Sequence, residues 1–126
     1  MKILLDAIPL QGLMTGISRY VRNLYTHLLQ LEDVQVTFFN GKHTFKAMPA
    51  QADPGAWISS TDKVWQMPDQ LVLAMRTAYW LVYEYRLNEK LSKGDFDLFH
   101  ETAFTPAWVN KKTPQVITIH DLSLME

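Results

Sequence analysis

Lys2-Ile3-Leu4-Leu5-Asp6 opens the chain with a short apolar run that an acid ends at once, the pattern of a strand buried on both faces of a parallel sheet. Ala7 to Gly16 follows with Pro9, Gly12 and Gly16, too irregular for an element and suited to a loop that turns closely over a ligand. From Ile17 the period changes. Ile17, Tyr20, Val21, Leu24, Leu28 and Leu31 recur at helical spacing, while Arg19, Arg22, Asn23, Thr26 and Gln30 take the other face. Thr15 and Ser18 are the candidate N-caps of this amphipathic helix. Val34 to Phe39 then carries strong β propensity before Asn40-Gly41 turns the chain, so strand, helix and strand make a βαβ unit. Such crossovers are right-handed in about 98% of cases.

Further along, 42–68 is broken by prolines at 49, 54 and 68, and the expectation is a short strand around Val64 to Met67 or a functional flap. Asp69 can cap a long helix that runs to Lys93 and stops at Gly94, with Leu71, Val72, Met75, Tyr79, Val82 and Arg86 along one side. This helix is apolar on other faces too, through Leu73, Trp80 and Leu81, yet Arg76 and Glu84 interrupt it, and a membrane span needs about 20 mostly uncharged residues. It reads as a helix packed against the sheet and a neighbour, with peripheral membrane contact the lesser reading. Phe96 to Phe99 forms a short strand that ends at His100-Glu101, 102–114 a loop, and Gln115 to Ile119 a final strand that stops at His120-Asp121. The fold class is α/β, a Rossmann-like parallel sheet flanked by helices.

Composition bounds the function. With 126 residues, 48% of them hydrophobic, the chain can bury a core as one unit. Twelve basic against thirteen acidic residues, without a basic run, leave no electrostatic footprint for nucleic acid. The absence of cysteine removes disulfides, thiolate zinc sites and cysteine nucleophiles together, and fits a reducing, cytoplasmic compartment. Asp6 interrupts the first apolar run too early for a signal peptide.

Parallel strands put Asp6, Asn40, His100-Glu101 and His120-Asp121 at four C-terminal tips, the positions that face the ligand crevice of a doubly wound sheet. Asp6 serves either a ligand or the backbone of its own loop. His100 is either a hydrogen-bonded histidine at the core edge or a site residue. His120 has the stronger functional reading, because Asp121 can fix its tautomer or stabilise its charged form; Asp121 can equally cap a following turn. Gly12 and Gly16 precede a helix N-terminus, where backbone N–H groups favour anions, although their spacing fits neither GxGxxG nor the P-loop. A metal held by His100, Glu101, His120 and Asp121 would lack any paired ligand spacing such as HExxH, and no metal or other cofactor is expected.

Four segments, Met1-Lys2-Ile3-Leu4-Leu5-Asp6-Ala7, Thr15-Gly16-Ile17-Ser18-Arg19-Tyr20, Phe96-Asp97-Leu98-Phe99-His100 and Val116-Ile117-Thr118-Ile119-His120-Asp121-Leu122, resemble in order and spacing the N-terminal domain of group 1 (family 4) glycosyltransferases. The resemblance implies a GT-B architecture of two Rossmann-like domains, the first acceptor-binding, the second holding a nucleotide-sugar donor. Residues 1–126 match the first domain alone, which reads as truncated, and the donor-binding C-terminal domain is the missing partner. Carried over by residue, His120 matches the cleft histidine that contacts the transferred sugar and is needed for activity. Gly16 matches the first-loop glycine near donor phosphates or acceptor, and His100 a position lining the acceptor side. With Asp6 and Asp121 these make the candidate substrate-binding set, His120 being the catalytic candidate. The family often has arginine at the position of Ile8 and a second glycine at that of Ser18; losing the arginine removes a planar bidentate grip on phosphate or carboxylate.

The leading expectation is therefore the N-terminal part of a retaining glycosyltransferase acting on a glycan or lipid-linked acceptor, inactive alone, cytoplasmic or peripheral to the inner face of the cell membrane. The alternative is a non-catalytic α/β binding or assembly module whose incomplete sheet edge invites self-association. A small hydrolase based on either histidine ranks last, for want of a nucleophile motif such as GxSxG.

Overall fold

The computed structural model describes residues 1–54, 62–64, 66–102, 106–110 and 112–120. β1 (Lys2–Asp6), β2 (Gln35–Phe39), β3 (Thr44–Phe45), β4 (Leu98–Glu101) and β5 (Gln115–Ile117) form one sheet in the order β3-β2-β1-β4-β5. The chain thus winds outward from a central β1 in both directions, as in Rossmann-like α/β folds. β1 pairs in parallel with β2 (Ile3 opposite Val36, Leu5 opposite Phe38) and with β4 (Ile3 opposite Leu98, Leu5 opposite His100), and β5 continues the parallel set.

Alternation along these strands divides the core in two. Ile3, Leu5, Val36 and Phe38 face α2 (Gly16–Leu28) and bury Val21 and Tyr25 with it. Leu4, Phe39 and Phe99 face the opposite way, onto Tyr83, Leu87 and Leu91 of α3 (Asp69–Lys93). One helix covers each face.

Several expectations are corrected. The loop after β1 contains a short helix, α1 (Ile8–Gln11), started by Pro9, whose fixed φ and missing N–H suit a first turn. β3 is antiparallel, so the sheet is mixed. The Asn40 side chain accepts the N–H of Lys42 and His43 at 3.0 and 2.7 Å, Gly41 takes φ +88°, and the chain doubles back as a hairpin. No strand forms at Val64 to Met67 among the described residues: 62–64 are helical and Met67 N donates to Val64 O. β4 lies two residues later than its apolar run implied, because reciprocal hydrogen bonds between Lys2 and Asp97 fix where pairing with β1 begins. β5 stops at Ile117 and is an exposed edge.

Both helices differ in detail from their apolar patterns. α2 ends at Leu28, where Gln30 and Leu31 switch to i→i+3 bonds, which leaves Leu31 exposed; Tyr20, on the expected apolar face, is exposed as well. Asp69 is the first residue of α3 rather than its cap, which is Pro68. The expected stripe of α3 is also wrong: Leu71, Met75, Tyr79 and Val82 are exposed. Length explains this. Twenty-five helical residues span about 37 Å at 1.5 Å each, whereas five-residue strands reach only about 17 Å. The first half of α3 overhangs the sheet, and no helix among the described residues is long and apolar enough to cross a membrane.

Candidate functional site

Asp6, Asn40, Glu101 and the 118–120 segment all lie at the C-terminal end of the parallel strands, as the strand-tip reading required. Strand alternation sorts them to opposite faces. His100 follows the α2 face, while Asp6 and Glu101 follow the α3 face.

On the α2 side, Thr15 caps the helix: its Oγ1 accepts Ser18 N–H at 3.3 Å, and Ser18 Oγ accepts Thr15 N–H at 2.7 Å. The serine found where the resembled family often has glycine therefore closes a capping box. Gly16 begins the helix, exposed, with no atom within 4 Å of where a Cβ would stand. One turn on, Tyr20 meets His120 edge to face, ring centroids 5.5 Å apart. Deeper, the Tyr25 hydroxyl lies 2.6 Å from His100 Nδ1, and His100 Nε2 lies 2.6 Å from Thr118 Oγ1. Burial, with His120 nearby, pushes the His100 pKa down, so the ring is neutral. Burial also raises Tyr25 and keeps its hydroxyl protonated.

On the α3 side, Asp6 is buried and its Oδ1 accepts the Ile8 N–H at 3.1 Å. Burial pushes this carboxyl up to about 7; the Ile8 bond opposes that shift and the Glu101 carboxyl adds to it. The buried Tyr83 hydroxyl lies beside Asp6 without reaching good hydrogen-bond geometry. Glu101, fully buried, accepts Ala107 N–H through Oε1 at 2.8 Å and Gln115 Nε2 through Oε2 at 2.6 Å. Its pKa is raised, first by burial. The following loop is held on α3 by Glu84, which accepts Trp108 N–H, and by Asn88, whose amide bonds Trp108 O and Asn110 N.

Gly16 and His120 thus lie on the α2 side of the strand tips, with Tyr20, one turn after Gly16, against His120. His100 sits beneath them with both ring nitrogens engaged, and Asp6 is turned onto its own loop on the other face. Asp121 lies outside the described residues. Among the described residues no group of three or more His, Asp or Glu is placed to hold a metal ion. Three residues of the arrangement escaped the sequence reading: Tyr25, Thr118 and, as His120's neighbour, Tyr20. Tyr20 and Tyr25 both lie on an amphipathic helix, but only the fold shows which meets which histidine. No protein-family model, no curated protein and no solved structure matches the chain.

Proposed function

We propose that this chain is the acceptor-side, N-terminal domain of a retaining glycosyltransferase of GT-B type, working with a donor-binding C-terminal domain. One observation carries the reading: the two most specific segments of the resemblance, Thr15 to Tyr20 and Ile119-His120, are distant in sequence yet meet at the strand tips through the Tyr20–His120 contact. In this role the open N-terminus of α2 at Gly16 receives a phosphate or sugar, helped by the positive end of the helix dipole. His120 hydrogen-bonds the transferred sugar and orients it toward an acceptor hydroxyl. Orientation of two substrates is worth several powers of ten in rate, which is why the domain works only against its donor-holding partner.

The exposed apolar half of α3 supports peripheral membrane contact on the cytoplasmic side, where a lipid-linked acceptor resides. Its groove of about 750 Å³ is lined mostly by apolar and aromatic side chains, Leu73, Met75, Trp80 and Leu81 among them, with Arg76 and Thr77 between them. The test is sugar transfer from a nucleotide-sugar donor by the full-length gene product with and without His120→Ala. Loss of at least a hundredfold is expected, and undiminished transfer sinks the assignment.

A second reading, a non-catalytic assembly module, is favoured by the edge strand β5, where Val116 and Ile117 and the following Ile119 are exposed. Sedimentation of the 126-residue chain separates the readings, since a concentration-independent monomer counts against assembly.

A further inference from the structure

We propose that Tyr25, His100 and Thr118 form a positioning relay that fixes the 118–120 segment on α2 and so sets where the His120 imidazole stands. The functional meaning of the relay rests on the transferase reading of His120, but its existence rests on geometry alone. β5 is an edge strand paired with β4, and the last bond of that ladder is the one from Thr118 N–H to Glu101 O, so the ladder reaches Thr118 and stops short of His120. Apolar burial does not hold it either, because Ile119 is 68% exposed. Thr118 is the anchor. Its N–H donates to Glu101 O at 3.0 Å, and its Oγ1 lies 2.6 Å from His100 Nε2.

His100 is in turn wedged against the Tyr25 ring, centroids 5.7 Å apart, with the Tyr25 hydroxyl on Nδ1. We assign the Tyr25 hydroxyl as donor to Nδ1, because Nδ1 is the one partner of that buried hydroxyl among the described residues; the neutral ring then carries its hydrogen on Nε2 and donates it to Thr118 Oγ1. Each ring nitrogen of His100 then has one partner, Nδ1 accepting and Nε2 donating. α2 therefore grips the segment twice, through Tyr25 by way of His100 and through Tyr20 at His120 itself. With both nitrogens committed, the His100 imidazole serves as a positioning residue and not as a substrate contact. The crevice wall that carries His120 then moves with the helix that carries Gly16.

Histidine ring NMR on the 126-residue chain tests this, with His120→Gln used to assign the His120 signals. Tyr20 displaces those signals by its ring current, so Tyr20→Leu defines their position when the contact is lost. Thr118→Val keeps the shape and β propensity of a half-exposed residue and removes only the hydroxyl. It is expected to move the His120 signals most of the way to the Tyr20→Leu position while the amide spectrum stays dispersed. Tyr25→Phe should do the same, and Thr118→Ser should restore them. His120 signals left in place by Thr118→Val overturn the relay. Signals that move, combined with a fully active His120→Ala full-length protein, leave the relay standing and remove the transferase reading.

Discussion

Asp6 accepts the backbone N–H of Ile8 through Oδ1 at 3.1 Å, which turns a buried carboxyl back onto its own loop. Burial of that carboxyl, against which the Ile8 bond works, makes stability depend on pH. The folded carboxyl holds its proton up to about 7, whereas the unfolded one releases it near 3.8. Between those values the folded state binds the extra proton, so the contribution of Asp6 is fully present below about pH 4 and is lost as pH rises through 7. Asp6→Asn keeps the acceptor for Ile8 and cannot ionise. It should be more stable than the parent chain at pH 8, with a gain of up to ~3 kcal/mol, and the gain should shrink toward pH 4. His100, whose pKa is lowered, runs the other way and loses its contribution as pH falls, but it is common to both chains. Parallel curves of Tm against pH for the two chains would count against a buried proton at Asp6.

Gly41 is the one described residue that combines positive φ, at +88°, with close packing: a Cβ there would stand 2.9 Å from Tyr83 Cδ2 and 3.3 Å from the Tyr79 hydroxyl. Alanine in this backbone region costs roughly 1–2 kcal/mol. Displacing the buried Tyr83 ring, which also packs on Phe39 and Trp80, adds about 1–3 kcal/mol. Gly41→Ala should therefore lower the urea midpoint substantially without changing the slope. An unchanged midpoint would mean that the hairpin turn does not press on α3.

Gly16 gives the opposite expectation. Its φ is ordinary, nothing surrounds its missing Cβ, and it occupies the first turn of α2. Gly16→Ala should leave stability unchanged or raise it by up to ~1 kcal/mol, because alanine is the better helix former. On the proposed transferase reading, the same methyl group enters the space a phosphate or sugar would approach, so transfer by the two-domain enzyme should fall at least tenfold. Activity equal to wild type would show that no ligand comes close to the α2 N-terminus.

β1, β2 and β4 were legible because burial leaves apolar runs such as Ile3-Leu4-Leu5, and α2 was legible because its polar and apolar faces separate. The face of α3 was not. Its apolar residues surround the helix, and which of them is buried depends on the length of the sheet beneath. β3 was equally hidden, since two residues carry no period and the Asn40-Gly41 turn alone creates the pairing. Strand tips could be placed from sequence, which located Asp6, His100 and His120 at one end of the sheet. Their partners could not. The facing of His100 toward Tyr25 and of Glu101 toward Ala107 follows from the pairing of Leu5 with His100, a register that no local pattern encodes.

Glu101 and Gln115 supply the sharpest test of that register. Neighbouring strands bring the Gln115 amide to Glu101 Oε2 at 2.6 Å, while Oε1 holds the Ala107 N–H. Glu101→Gln places an amide donor against one of these two donors whichever way the side chain is flipped. Leaving a buried donor unmatched costs about 1–3 kcal/mol. Gln115→Glu in the same chain converts the opposing donor into an acceptor and re-forms the bond with its polarity reversed. The double variant should regain a large part of the lost stability even though Gln115→Glu alone destabilises, because that single change sets two carboxyls face to face. Urea unfolding of the four chains yields the coupling directly. A double variant no better than the sum of the singles would mean that these side chains do not meet across β4 and β5.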